Sequence, residues 1–310
     1  MKNLYFLLKK FIRQYILPLP EKQYIPLKKR KVMLSKAYKA AMGEPLDWKH
    51  LESFTEKIQW MKLYYTHPDL TRCVDKYEFK GYIHEHLGDG YTASLITVWN
   101  NADEVSIRDI PVNKFVLKST LQSDGKYIIL VSDKSKLDIE KAEKEIKENW
   151  FNTKNLLTNS FCSAYYGAKP RVIVEEYIEE FANMANDYKL FCFHGKPAYF
   201  YVAEDHFKNG ENSTDYPITF YDLDWNMMDV RYGEHKTNSH VAKPYHIDEM
   251  IQTAKKLSKE FPFVRVDYFD TADKLYLAEL TFYPGGGFTA YHPESFNIKM
   301  GNMLTLPKNE

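Results

Sequence analysis

Charged residues set inside apolar runs are where this sequence has the means for chemistry. Arg265 and Asp267 interrupt Phe263-Val264-Arg265-Val266-Asp267-Tyr268 two positions apart, so in an extended segment both side chains leave the same face. Glu279 holds a similar place in Leu277-Ala278-Glu279-Leu280-Thr281-Phe282. A turn over residues 271–274 folds the two runs into a hairpin and sets Asp267 opposite Glu279. Two facing carboxylates repel unless a cation lies between them. One reading is an Arg–Asp–Glu salt-bridge cluster on a solvated sheet face. The other is a hard-oxygen site in which the acids hold Mg²⁺ and Arg265 contacts nucleotide phosphates. The apolar flanks favour the second, because they are poorly suited to an exposed edge.

Three further features stand near this pattern. Lys118 ends the run Phe115-Val116-Leu117-Lys118, although a strand lysine taken alone is most often a solvent-side residue. Pro284-Gly285-Gly286-Gly287 follows the acidic run directly, and three successive glycines let a backbone approach a ligand closely and move over it. Gly125, in Ser123-Asp124-Gly125-Lys126, is a weaker phosphate-loop candidate, and no Walker A motif is present.

The elements that must position these residues alternate between strand pairs and single helices. Residues 35–70 read mainly as helix, with Thr55 capping a turn, and residues 91–99 read as a strand. Phe115 to Lys118 pairs with Lys126 to Val131 across residues 121–125. Ile139, Ala142, Ile146 and Trp150 give residues 137–150 one apolar helical face. Val172-Ile173-Val174 runs into Glu175-Glu176. Residues 188–193 and 198–202 flank a turn at His194-Gly195-Lys196-Pro197. A helix over residues 246–261 precedes the acidic hairpin. This pattern predicts an α+β fold of two lobes with antiparallel sheets around a cleft, rather than a doubly wound parallel sheet.

Composition narrows the class. The 310 residues carry 42 basic and 42 acidic side chains, which argues against nucleic-acid binding through a bulk basic surface. Three cysteines without close spacing fit neither a disulfide framework nor a thiolate zinc site, and suit a reducing compartment. No apolar stretch is long enough to span a membrane as a helix. The zero net charge hides an asymmetry: residues 1–31 hold nine basic residues and one acid, Glu21. Leu4, Leu7, Leu8, Phe11, Ile12 and Tyr15 recur there at helical spacing opposite Lys9, Lys10 and Arg13. Such a helix docks on its own protein, on a partner, or on an anionic bilayer surface. Pro18, Pro20 and Pro26 then read as a stiff linker.

Taken together, these segments resemble the ATP-grasp superfamily, and more closely its TupA-like branch, associated with teichuronopeptide and other cell-surface polysaccharide biosynthesis. The likeness rests on Asp75-Lys76-Tyr77, Phe115 to Lys118, Val174 to Ile178, Asp187 to Phe193, Arg265 to Tyr268 and Glu279 to Phe288, in that order. It implies ATP and Mg²⁺ as cofactors, with the nucleotide clamped between two α+β lobes. It further implies that Lys76 and Lys118 contact the phosphates and that the backbone of Glu175, Glu176, Tyr177 and Ile178 meets adenine, one glutamate reaching the ribose. Asp267 and Glu279 become magnesium ligands, and Arg265 a phosphate contact. Lys189 stands where the second lobe begins. Thr281 occupies the place of a metal-binding Asn and would coordinate more weakly.

The resemblance also implies the domain plan: a basic helix and linker over residues 1–34, a helical region over 35–112, the first lobe and hinge over 113–178, and the second lobe with the metal site over 179–310. The implied activity is ATP-dependent carboxylate–amine ligation, with Lys118 and Arg265 at the reacting phosphate and the triglycine loop closing over the intermediate. The substrates expected are a glycan uronic acid and an amine or amino acid, in the cytoplasm or at the inner membrane face, with residues 1–31 as the membrane contact. Rival expectations are a glycosyltransferase using Asp222-Leu223-Asp224, a non-catalytic nucleotide-binding module, and a kinase on the same fold. Tyr165, Tyr166, Tyr199, Tyr201 and Tyr221 are read chiefly as core, and His206, His235, His240 and His292 as surface residues.

Overall fold

The apolar runs that hold the charged residues form strands of two antiparallel sheets, inner ones except for the run of Glu279, which is an edge. A computed structural model describes residues 25–308, apart from 122–126, 152–160, 166, 183–185, 205–206, 209–210, 213–215 and 239. The helix of the basic head, Pro18 and Pro20, the turn bearing Gly125, Tyr166 and His206 therefore lie outside the described residues.

The first part of the chain gives α1 (Leu27–Met42), α2 (Phe54–Tyr64), α3 (Leu70–Val74), α4 (Lys76–Leu87), β1 (Leu95–Trp99), β2 (Phe115–Ser119), β3 (Ile128–Val131), α5 (Ile139–Glu145) and β4 (Val172–Glu176). After the short α6 (Glu179–Ala182) come β5 (Asn186–Phe193), β6 (Lys196–Glu204), β7 (Phe207–Lys208), β8 (Glu211–Asn212), β9 (Ile218–Tyr221), β10 (Met227–Met228) and β11 (Arg231–Tyr232). The chain ends with α7 (Ile247–Leu257), β12 (Phe263–Asp270), β13 (Leu275–Thr281), β14 (Tyr291–His292) and α8 (Glu294–Met303).

The smaller sheet has the order β1-β4-β2-β3 and the larger β10-β9-β6-β5-β12-β13, with antiparallel neighbours throughout. The α+β class expected from the alternation is the class observed. The smaller sheet takes β1 from upstream of residue 113, so its strands do not begin where the sequence reading placed the first lobe. Phe115, Leu117, Val172 and Val174 pack under it with Ile146 and Trp150. The larger sheet buries Leu190, Phe191, Phe263, Val264 and Val266 among residues of α2 and α7. Phe54 at the start of α2 meets Phe263 edge to face, with ring centroids 4.8 Å apart. That contact seats α2 on the sheet that carries the acids.

Local chemistry explains where the elements begin. Ser53, not Thr55, caps α2: its hydroxyl accepts the Glu56 N–H, and the Glu56 carboxylate accepts the Ser53 N–H in return. Thr55 is buried, with its hydroxyl 3.0 Å from that of Tyr38, so tertiary packing has claimed it. Pro26 stands at the start of α1, where its missing N–H costs nothing, instead of belonging to a linker. His194 and Gly195 both have positive φ, as the turn between β5 and β6 requires. The helix expected over 137–150 is α5 followed by a π-turn over Ile146–Trp150.

Candidate functional site

Three strands of the larger sheet carry one row of charge. Asp267 on β12 lies opposite Glu279 on β13 and opposite Lys189 on β5, and Arg265 lies opposite Thr281. The register shifts just after Asp267, so the pairing is kept at the acids and relaxed beyond them. Arg265 grips Asp267 through two bonds, Nε to Oδ1 at 2.7 Å and Nη2 to Oδ2 at 2.5 Å. Lys189 donates to the same Oδ2 at 3.0 Å and stands 3.4 Å from Asp187. Arg265 also reaches Glu279 at 3.4 Å, the Thr281 hydroxyl at 3.1 Å and the Tyr201 hydroxyl at 3.2 Å. Thr281 donates its proton to Glu279 at 2.7 Å.

Burial separates the two acids. The Asp267 side chain is 2% exposed, whereas that of Glu279 is 40% exposed. Burial opposes the charge on Glu279, but Arg265, Lys189 and Lys76 outweigh it and bring its pKa down to about 2. Burial likewise opposes the charge on Arg265, and Asp267 beside it raises the pKa well above the usual value. Burial raises the pKa of Asp267 against the pull of Arg265 and Lys189, and Glu279 is the open carboxylate at the edge of this cluster.

A second cluster belongs to the smaller sheet and α4. Asp75 caps α4 by accepting the N–H groups of Tyr77 and Glu78, while the Lys76 N–H donates to the Thr120 carbonyl just beyond β2. These bonds fix Lys76 beside the strand that bears Lys118. Lys118 stands 2.7 Å from Glu175 Oε2, and Lys80 stands 2.5 Å from Glu175 Oε1. Burial disfavours the charge of Glu175, but Lys118 and Lys80 together lower its pKa. Burial also lowers the pKa of Lys76, opposed chiefly by Glu279; Lys118 adds to the lowering. Glu279 of the larger sheet and Lys118 and Glu175 of the smaller one thus all act on the charge of Lys76.

The triglycine segment is anchored and is not a free flap. Gly285, Gly286 and Gly287 have φ of +57°, +65° and +68°, a left-handed run that other residues enter at a cost. Gln59 of α2 donates to the carbonyls of Gly286 at 3.1 Å and Gly287 at 2.8 Å, and Lys62 donates to Gly286 at 2.5 Å. A Cβ on Gly285 would collide with the Tyr232 hydroxyl, and one on Gly287 with Gln59 Nε2. Close packing explains the glycines where the sequence reading invoked mobility.

Residues 56–305 match the family described as TupA-like ATP-grasp. The chain belongs to that family. Solved structures of similar fold include the D-alanine–D-alanine ligase of Bacillus anthracis, at 14% identity and TM-score 0.43, covering 91% of this chain and 82% of that one. The D-alanine–D-alanine ligase of Helicobacter pylori is also 14% identical, with TM-score 0.43 and 77% of this chain covered. The L-amino acid ligase of Bacillus licheniformis is 11% identical, with TM-score 0.43, and covers 82% of this chain. The chain spans 60% of the Helicobacter enzyme and 56% of the Bacillus licheniformis enzyme. Comparison with curated proteins gives no match.

For a TupA-like ATP-grasp protein, the residues named from sequence fall into the two clusters just described. Lys76 and Lys118 stand with Glu175, while Lys189, Arg265, Asp267, Glu279 and Thr281 share the sheet row. The side chains expected at the hinge are already engaged: Glu175 with two lysines, and Glu176 with the Ser94 N–H at 2.8 Å. The Tyr177 ring lies 6.0 Å from Lys114 Nζ, and the Ile178 carbonyl accepts the Phe181 N–H at 3.0 Å. Lys80, Gln59 and Lys62 were missed from sequence. Lys80 follows Lys76 by one helical turn, a usable signal that is masked because most helix lysines are solvated.

The donors fit a magnesium nucleotide in kind. Glu279 is an ionised, partly exposed oxygen ligand, and Lys76, Lys118 and Arg265 supply cations for phosphates. Asp267 gives both oxygens to Arg265 and Lys189, so these cations stand between it and any metal. Thr281 presently orients Glu279. Asp222 accepts the N–H groups of Asp224 at 3.0 Å and Asn226 at 2.8 Å, which makes Asp222-Leu223-Asp224 a turn. Tyr199, Tyr201 and Tyr221 are buried, as their reading as core requires.

Proposed function

We propose that the protein is an ATP-dependent carboxylate–amine ligase that joins a uronic acid of a cell-surface polysaccharide to an amino acid or other amine. The observation that carries this reading is the row Lys189–Asp267–Glu279, linked through Lys76 to Lys118 and Glu175 on the other sheet. Family membership supplies the nucleotide and the ligation.

A carboxylate cannot expel oxide, so it must first be given a leaving group. Its oxygen attacks the γ-phosphorus of ATP, the bond to the bridging oxygen breaks, and ADP departs, leaving an acyl phosphate. The amine nitrogen then attacks the acyl carbon, inorganic phosphate leaves, and the amine loses a proton. Lys76, Lys118 and Arg265 offset the charge on the transferring phosphoryl group and hold it in line. Lys80 keeps Glu175 neutralised when Lys118 turns to a phosphate. The backbone at residues 175–178 receives the adenine. Mg²⁺ would be held by Glu279, with Thr281 beside it, and by Asp267 once Arg265 and Lys189 turn to the phosphates, and it would supply further neutralisation of the triphosphate. The triglycine turn excludes water from the acyl phosphate.

The reading extends to place. Among the described residues no helix is long and apolar enough to cross a membrane. α1 carries Lys28, Lys29, Arg30, Lys31, Lys36 and Lys39 and no acid, continuing the basic head. Such a surface suits peripheral contact with anionic lipid at the inner membrane face. The deciding experiment is ADP release with Mg²⁺ over uronic-acid donors crossed with amines. Release dependent on both partners, with amide product, supports the ligase. Release with a phosphorylated product and no need for amine would make it a kinase, and binding without release a non-catalytic module.

A further inference from the structure

Lys62 presents a cation where an uncharged side chain would pack at lower cost. None of its surface is exposed. Its ammonium meets the Gly286 carbonyl at 2.5 Å, Gln59 Oε1 at 3.1 Å and the Phe288 ring at 4.0 Å from the centroid. Among the described residues it forms no salt bridge, and Cys162 is the titratable group acting on it. An ammonium buried without a counter-ion is disfavoured. Burial accordingly pushes its pKa down to about 8, which still leaves it mostly charged at neutral pH.

Gln59 Nε2 has two hydrogens for three carbonyls, those of Thr55 at 3.3 Å, Gly286 at 3.1 Å and Gly287 at 2.8 Å, so Lys62 is the shorter donor to Gly286. What Lys62 adds is a charge-assisted bond to the middle of a left-handed run that has no side chains of its own to lock it. The run follows Pro284, just past Thr281 and the site row. A methionine of similar length would fill the same space and remove the cost of burial, so the cation is spent on the geometry of the turn.

We infer that Lys62 is a positioning residue: its ammonium clamps the triglycine turn in the shape that closes the reacting site against water. The kinetic part of this inference rests on the ligase reading, and the clamp itself does not.

The test compares the full-length wild type with Lys62→Met and Lys62→Arg. Amide hydrogen exchange over residues 283–288, without nucleotide, should speed at least tenfold in Lys62→Met, while Tm stays equal or rises. With an active donor–amine pair and Mg–ATP, KM for ATP should stay within twofold. kcat for amide should fall at least tenfold, with ADP released in excess of amide, and Lys62→Arg should recover part of the loss. Unchanged exchange, unchanged kcat, or an activity loss that merely follows a fall in Tm would overturn the inference. If the wild type releases no ADP with any partner, the ligase reading fails while the exchange comparison still decides the clamp.

Discussion

Glu279 and Asp267 sit opposite each other, yet they have different tasks because one is enclosed and the other reaches solvent. Glu279 is ionised over the whole neutral range, with a folded pKa of about 2 against 4.5 for the ordinary side chain. Between these values the unfolded chain binds more protons, so the contribution of Glu279 to stability is present above about pH 5 and is lost as pH falls toward 2. Glu279→Gln should flatten that part of the acid-unfolding curve, measured by circular dichroism, and weaken Mg–ATP binding. Lys118→Ala should abolish ATP turnover without unfolding the chain, since Glu175 keeps Lys80 as a partner. Asp267→Ala is a harsher change: it leaves buried Arg265 and Lys189 only their longer contacts to Glu279 and Asp187, at a cost of up to about 3–5 kcal/mol. Asp267→Asn is the better probe, and should retain the fold while turnover falls by a factor of at least ten. Full activity in both Lys118→Ala and Asp267→Asn would end the site assignment.

At the scale of elements, α2 matters beyond its place in the core. Its capping box sets where it starts, Phe54 seats it on the acid-bearing sheet, and Gln59 and Lys62 then reach the turn that follows β13. Substituting Gly287 by Ala forces a Cβ against Gln59 and Ile58 in a left-handed conformation. A loss of about 2–4 kcal/mol follows from strain and overpacking together, measurable by urea unfolding. Lys62 acts in the opposite sense. Its lowered pKa means that the unfolded chain holds the proton more tightly between about 8 and 10.5, so this group's contribution to stability rises with pH across that window. The span corresponds to on the order of 3 kcal/mol, and comparing wild type with Lys62→Met by Tm against pH isolates it.

Across the whole molecule, two sheets with separate cores bring opposite charges to a shared region through Lys76. Mg²⁺ alone meets Asp267 already paired with Arg265 and Lys189, so it gains little. If ATP binds as proposed, its phosphates would compete for the cations and release the carboxylates. Mg²⁺ should therefore raise Tm strongly with ATP and hardly without it in thermal shift measurements. Equal stabilisation by Mg²⁺ alone would indicate a preformed structural metal site instead.

Much of this architecture was legible from residue order alone. Strand alternation and turn residues determined the hairpins, and the turn over residues 271–274 determined the register that sets Asp267 opposite Glu279. These are local properties, set by the two-residue period of a strand and the φ that turns demand. Packing decided the rest. Thr55 reads as a cap but is drawn into the core, and the glycines read as a moving loop but are closely held by α2. Lys62 and Lys80 look like ordinary helix lysines. Their roles depend on Gly286 and Glu175, residues remote in the chain, and a charge takes its meaning from what tertiary folding places beside it.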